Sequence, residues 1–512
     1  MSGILAGRGV SADIERSVDV CIIGSGAGGA VLAAGLAEAG LDVLVLEAGG
    51  ANTRADWGEL KEDISYPLLY QDRGSRATAD LAITVLQGRT LGGSTVVNWT
   101  TCFRTPERVL ERWRTEHGLE SFTPGELEPH WVAVEERLNI HQWHEALVNA
   151  NNDALRRGCE ALGWESHVLR RNVRGCANSG YCGLGCPVGA KQAMHLTYLP
   201  DAMAAGAEVI TDCRADRLEV EGDRVVAVHA SLLEGTTDRP SGARLVVRPK
   251  VVVSSGGAIN GPALLLRSGL PEGGVGTGTW LHPVVGVMGE YADRVSAWSG
   301  APQSVSSHQF IDRGPDKVGF FMEAAPLHPM LSALAFTGLG AEQTAMMSRL
   351  AHVASVIAIH LDGWVPGDVG GTVTLKSDGR PSLDYPVSPM LAEAFAAAHE
   401  AMARVHLAAG AKRAASLHVE PIQLRSEADL PTLAAAPYGS LEHSIFSAHQ
   451  MGGCRAGADP STSVVDPELR HHRLPNLFVV DGSVFPTALG VNPSQTIYGI
   501  ARRAVGVVGE AV

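Results

Sequence analysis

The sequence predicts an α/β fold built on a Rossmann-like dinucleotide-binding domain, and three stretches predict it. The first is a strand–turn–helix–strand run near the start, "SVDVCIIGSGAGGAVLAAGLAEAGLDVLVLEAGG". The second is a glycine cluster at 86–104, "LQGRTLGGSTVVNWTTCFR". The third is a C-terminal block at 446–505, in which a strand and a helix follow a histidine in a glycine-rich turn. A chain of 512 residues exceeds one compact core, so two or three domains are expected.

In the first stretch, residues 18–23 are a short apolar run of strand type. Gly24, Gly26 and Gly29 follow as G-x-G-x-x-G. Gly24 permits the tight turn, Gly26 lets backbone approach a pyrophosphate, and Gly29 lets the next helix lie close on the sheet. That helix runs to about residue 39, and its N-terminus offers free N–H groups to phosphate. Gly40 closes it, and residues 43–46 form a second buried strand ending at Glu47. Glu47 lies 18 residues past Gly29, placed to bond ribose hydroxyls. An acid there favours a free 2′-OH, hence FAD or NAD over NADP.

The second cluster brings Gly88, Gly92, Gly93, Ser94, Thr95 and Asn98 together. Alone it fits a ligand loop or a structural turn equally. In the C-terminal block, "NLFVVD" reads as a buried strand ending at Asp481. The helix "VNPSQTIYGIARRAVGVV" carries a start signal, with Asn492 as N-cap and Pro493 at the first helical position. His449 precedes both.

Composition narrows the partners. Net charge is −14 and no Lys/Arg-rich run appears, which argues against nucleic acid. Residues 20–37 carry no charge, but their glycine-rich centre and the acids that follow read as strand and helix rather than a membrane span. No basic-then-apolar leader opens the sequence, so a cytoplasmic location is expected, with cysteines reduced or metal-bound.

Taken in order, these segments resemble the glucose–methanol–choline (GMC) family of FAD oxidoreductases. Family members open with the same fingerprint and carry "LGGSS…N" within the first hundred residues. They close with "H…G…DP…VVD…L…VVD.S..P…NP..T". "VVVSSGGAINGPALLLRSGL" (251–270) is similar to the second family signature, although Asn260-Gly261 replaces the usual pair. "GTWLHPV" (278–284) is similar to the "G.NL..H" that follows it. "CGLGCPVGAKQAMHLTYLPDAMAAGAEV" (182–209) most resembles the long-chain alcohol oxidase or dehydrogenase type.

The resemblance implies a discontinuous FAD domain at 15–50, 80–105, 205–285 and 440–512. It leaves 51–79, 106–204 and 286–439 to an α+β substrate domain on an antiparallel sheet. The implied cofactor contacts are Gly24, Gly26, Gly29, Glu47, Gly92, Gly93, Ser94, Asn98, Ala215, Asp481, Asn492 and Pro493. Some members bind flavin covalently through a histidine whose position here is Val97, so non-covalent FAD is expected.

The implied reaction oxidises a bulky or apolar alcohol to an aldehyde or ketone. Such a reaction needs a base for the hydroxyl proton, a hydride acceptor, and donors aimed at the developing alkoxide. By motif, His449 is the base and Asn492 the donor, both catalytic. The helix after Pro493 points its positive end at the reduced flavin. The plain alternatives are a cap for Asn492 and a structural histidine for His449. His443, His471 and His472 miss the motif position, and His471-His472 reads as a surface turn. A structural role is expected for His282. Oxygen or an unknown carrier would accept the electrons. The competing activities are a non-redox FAD lyase of the hydroxynitrile-lyase kind and an electron-transfer module.

Two stretches stay open. Residues 327–361 are apolar and contain methionine, fitting a core helix or the wall of an apolar substrate cavity. Cys176, Cys182 and Cys186, spaced C-x5-C-x3-C before Pro187, overlay a cubane ferredoxin motif with Ser179 at the second ligand position. An iron–sulfur cluster, reduced structural thiols, a disulfide, or zinc with a remote ligand such as His195 are the readings they allow.

Overall fold

The computed structural model describes residues 3–235, 237–336 and 340–512. Two large sheets organise it. The first runs in the order Ile4–Ala6, Glu208–Thr211, Val43–Leu46, Ile14–Ile23, Pro240–Ser254, Arg224–Leu233, Cys213–Glu221, and Leu477–Val479 also pairs with Pro240–Ser254. Pairing is parallel from Ile4–Ala6 through to Pro240–Ser254 and on to Leu477–Val479. Such strands are covered on both faces, which is why "VCII", "VLVL" and "VVVS" lack polar alternation. Helix Ala27–Glu38 follows the first long strand, and helix Ser494–Glu510 packs against it. A Cβ on Gly35 would stand 2.7 Å from the Val505 side chain, so glycine sets the approach of these two helices.

The second sheet has nine strands. Its main path is Gln423–Leu424, Arg413–Ser416, Val284–Glu290, Val353–His360, Phe320–Glu323, Val305–Phe310, His167–Val168, and all pairings along that path are antiparallel. Helix Pro389–Ala408 packs on it and starts at Ser388, whose hydroxyl accepts from Leu391 N at 3.2 Å. The fold is thus mixed α/β, with parallel and antiparallel sheets as expected. The short strands Ile83–Val85 and Ile445–Ser447, inside the expected cofactor segments, pair with each other in parallel and complete this sheet through Val284–Glu290.

Three local expectations change. The last helix begins at Ser494 with Pro493 in the cap position, so Asn492 stands before the helix and does not cap it. His471 is buried rather than on a surface turn, because its backbone bridges to Val465 and bonds Leu477 O. Residues 327–361 form no single core helix: Pro329–Ala335 and Ala341–Ser348 are short helices, and Val353–His360 is a fully buried strand. Residues 337–339 of that stretch lie outside the described residues.

Among the described residues, no helix is long and apolar enough to cross a membrane.

Candidate active site

The parallel strands end together at Ile23, Leu46 and Ser254, with Asp481 just past Val479, and a cavity of about 460 Å³ opens there. It runs from the first glycine turn to His449 and Asn492, which line the same space. Of the residues singled out from sequence, Gly24, Gly26, Glu47, Gly93, Ser94, Asn98, Ala215, Asp481 and Pro493 also line it. Gly29 and Gly92 stand behind the lining. A Cβ on Gly29 would sit 1.9 Å from Gly24 O, and Gly92 turns the chain at φ +95°.

The first turn is a cradle. Gly24 takes φ +106°, and a Cβ there would press on Ser255 O at 2.3 Å. Gly26 has nothing within 4 Å of a built Cβ, so a side chain there would project into open cavity. Helix Ala27–Glu38 begins directly behind it, with no side chain capping its first N–H groups. A pyrophosphate fits this arrangement: open space over glycine, with a helix N-terminus behind.

Glu47 holds the turn as well as facing the cavity. Its Oε2 accepts from Ser25 N at 3.0 Å and Ser25 Oγ at 2.6 Å, and its Oε1 accepts from Gly49 N at 2.7 Å. Burial raises its pKa, against the pull of these bonds. Ser25 Oγ in turn accepts from Gly92 N at 2.9 Å, linking the two glycine clusters. Nothing in the spacing of the fingerprint marks Ser25. In the second cluster Ser94 Oγ accepts from Gly88 N at 3.0 Å, and Asn98 Oδ1 is buried without a partner. Asp481 accepts from Gly257 N and Ser483 N, each at 2.7 Å, which ties the end of the last parallel strand to the start of helix Gly257–Arg267. Buried Ala215 leaves the cavity wall flat, and buried Val97 lines it where a covalent attachment point would stand.

At the far end three side chains are chained together. His449 Nε2 stands 3.4 Å from Asn492 Nδ2, and His449 Nδ1 stands 3.2 Å from His282 Nδ1. His282 Nε2 accepts from Gly490 N at 3.1 Å. An N–H donor at Nε2 leaves the His282 proton on Nδ1, where it donates to His449 Nδ1. His449 then carries its own proton on Nε2, and Asn492 Nδ2, itself a donor, bonds that nitrogen only when the proton has left it. Burial holds His449 neutral, down to about 4. Asn492 Nδ2 also donates to Glu323 Oε2 at 3.4 Å. Sequence reasoning gave His282 a structural role and passed over Glu323, which carries no motif. His443 lies elsewhere, beside His399 and His418 with ring centroids 5.4 and 5.3 Å away.

The cysteine segment packs behind the second glycine cluster. All three cysteines are free, and the described residues contain no group of three or more His, Cys, Asp or Glu placed to hold a metal. Lys191, fully buried, donates to Val96 O, to Asn98 O at 3.0 Å and to Cys182 O at 2.7 Å. Arg171 donates to Cys182 Sγ at 3.8 Å and to Trp99 O at 3.2 Å. His195, the remote zinc candidate, packs edge-on to Trp57 at 5.9 Å.

A dinucleotide cradle that opens onto a buried His/Asn pair defines a cofactor-dependent enzyme. Residues 66–284 and 366–501 match the N- and C-terminal sequence profiles described as GMC oxidoreductase, and the chain belongs to that family. It is therefore an oxidoreductase, of a family that uses FAD and acts on CH–OH groups. It is 34% identical over 490 residues to an uncharacterized GMC-type oxidoreductase of Mycobacterium tuberculosis, covering 94% of this chain and 74% of the relative. It is 31% identical to the long-chain-alcohol oxidase FAO3 of Arabidopsis thaliana, covering 95% and 67%. Among solved structures, pyridoxine 4-oxidase from Mesorbium loti superposes with a TM-score of 0.71 at 21% identity, covering 96% and 99%. A formate oxidase does so with 0.71 at 16%, covering 97% and 99%.

Proposed function

We propose that the chain oxidises an apolar alcohol to the aldehyde or ketone with non-covalently bound FAD, using His449 and Asn492 at the alcohol oxygen. One observation carries the reading: the two side chains stand 3.4 Å apart at the end of the cavity that the glycine cradle opens. The cradle would hold the pyrophosphate at Gly24, Gly26 and the N-terminus of helix Ala27–Glu38. Glu47 would meet the ribose, and Gly93, Ser94 and Pro493 the ring. Bound there, the flavin would supply the hydride acceptor for the substrate carbon.

The chain's own residues handle the oxygen and its proton. Asn492 donates to the oxygen, and His449 takes the hydroxyl proton at Nε2. That role asks a tautomer change of the histidine: its resting proton moves to Nδ1, and His282 releases Gly490 N. The cost is about one hydrogen bond, ~1–3 kcal/mol. Val97, Trp99, Val284, Ile357, Ile359 and Phe446 line the cavity, an apolar wall suited to a hydrocarbon chain. The long-chain-alcohol oxidase relatives support the same substrate class and oxygen as acceptor. The three cysteines form no disulfide, and with Lys191 bonding Asn98 O and Cys182 O the cysteine segment acts as a brace for the flavin loop.

The test is an anaerobic visible spectrum of the purified protein with dodecanol. Bleaching of the flavin bands, reversed by air with formation of peroxide, is the expected result. A flavin that stays oxidised sinks the reading and leaves the lyase alternative.

A further inference from the structure

We infer that Glu323 is a positioning residue of this site: its buried carboxyl group pins the Asn492 amide nitrogen beside His449. The inference rests on the proposed role of Asn492 as donor to the alcohol oxygen.

Glu323 ends strand Phe320–Glu323 at the centre of the antiparallel sheet and has no exposed surface. Its Oε2 accepts from Asn492 Nδ2 at 3.4 Å, while its Oε1 is buried without a partner. A buried carboxylate is normally paired with a cation or with several donors. Here one amide is the partner. The neighbouring strands offer no countercharge: Ser306 and Ile357 stand opposite in register. His308, on the strand of Ser306, stacks on Phe321 at 5.0 Å and is held neutral by burial. His360, on the strand of Ile357, sits 5.5 Å from Phe320 and is likewise neutral. His449 and His282, beyond Asn492, are neutral too. Arg171 is the one cation that favours ionisation, and its own guanidinium bonds Trp99 O and Pro302 O. Burial wins over it, raising Glu323 to about 8.

Neutrality serves the chemistry. In either protonation state a carboxyl oxygen can accept from Asn492 Nδ2, and the bond at 3.4 Å holds the amide nitrogen toward the oxygen site. An amide nitrogen held by Glu323 keeps its second N–H for the alcohol, next to His449. An ionised Glu323 would do the same while placing a negative charge beside an oxygen that itself becomes negative, in a site of low dielectric. The proton on Glu323 removes that repulsion at neutral pH.

The experiment compares wild type with Glu323→Gln and Glu323→Leu, all FAD-loaded, in anaerobic stopped flow with dodecanol across pH. Wild type should reduce its flavin more slowly as pH rises through about 8. Glu323→Gln keeps an acceptor oxygen and cannot ionise. It should stay within about threefold of wild type at neutral pH and lose the alkaline fall. Glu323→Leu should lose about tenfold or more with FAD retained. An unchanged alkaline fall in Glu323→Gln, or a wild-type rate in Glu323→Leu, overturns the inference. Where Glu323→Leu does not fold, Glu323→Gln decides. A second readout is independent of turnover: the infrared band of a protonated carboxyl, present in wild type at neutral pH, disappears on alkaline titration and is missing in Glu323→Gln. Its absence from wild type overturns the inference even if alcohol bleaches the flavin. A wild type that alcohol does not bleach, with the band present, fails the functional reading instead.

Discussion

His282 and His449 meet nitrogen to nitrogen, Nδ1 to Nδ1 at 3.2 Å, and the backbone N–H of Gly490 sets which of them donates. His282 takes φ +47°, in the left-handed region, so the chain bends at this residue to bring the ring under His449. Asparagine tolerates that backbone best among non-glycine residues and can place a donor near the lost Nδ1. His282→Asn should therefore fold, keep FAD, and slow flavin reduction modestly. His282→Val should lose about 1–3 kcal/mol of stability from backbone strain alone, beyond any effect on rate. Denaturant melts and stopped-flow traces of the two variants check this. Equal stability in both would remove strain from the account.

His449→Ala should cut flavin reduction about 10²–10⁴-fold while FAD stays bound, because the cradle lies at the other end of the cavity. In wild type the rate should hold across neutral pH and, on the acid side, fall only as pH drops through about 4, where the buried imidazole takes a proton. Single-turnover rates against pH decide it. A fall centred on the ordinary imidazole range would mean that His449 is more hydrated than its burial indicates.

Acid should unfold the protein early. Eight histidines, His195, His308, His328, His360, His406, His443, His449 and His471, are each held to about 4 by burial, against an ordinary 6.5. A folded-state pKa below the unfolded one means that the unfolded chain binds more protons. Stability is then full above 6.5 and drains as pH falls toward 4. Glu323, raised to about 8, and Asp362, raised to about 7, act with the opposite sign. They lose stability as pH rises from 4.5 or 3.8 respectively, and buried Glu47 and Asp481, raised by burial too, act with them, but the histidines outnumber these acids. The melting temperature should drop steeply between those histidine limits, and Glu323→Gln should gain on wild type as pH rises toward 8. A flat profile from pH 6.5 to 4 would contradict the burial of these rings.

How far the sequence reaches depends on how local each constraint is. The glycine turn was legible because its geometry, φ at Gly24, clearance at Gly26 and contact at Gly29, is met within six residues. His449 and Asn492 were legible through family motifs, though Asn492 proved to precede the helix rather than cap it. Glu323 lies 169 residues from Asn492 in the chain, on a strand with no pattern of its own, and only the packing of that sheet against the loop before the last helix brings the two together. Ser25 sits inside the fingerprint at a position where any residue satisfies the motif, so its bridge from Glu47 to Gly92 was invisible. The cysteine spacing left several readings open, while the buried Lys191 of that segment, with its bonds to Asn98 O and Cys182 O, carried no signal in the sequence.

Two glycines in one turn should separate fold from cofactor. At Gly28 a Cβ would stand 1.9 Å from Val480 O, against backbone that cannot yield without moving the last parallel strand. Gly28→Ala should destabilise the chain by about 1–3 kcal/mol or more, with or without FAD. At Gly26 a Cβ meets nothing within 4 Å and occupies cavity instead. Gly26→Ala should fold as well as wild type, or slightly better, since alanine loses less backbone freedom and φ at this position is −73°. Its loss should be in FAD alone: a pyrophosphate kept off the helix N-terminus by one methyl group gives up its closest backbone donors. Melting curves of the apo-proteins together with FAD titrations separate the cases. A Gly26→Ala variant that binds FAD as wild type does would place the pyrophosphate elsewhere than on this cradle.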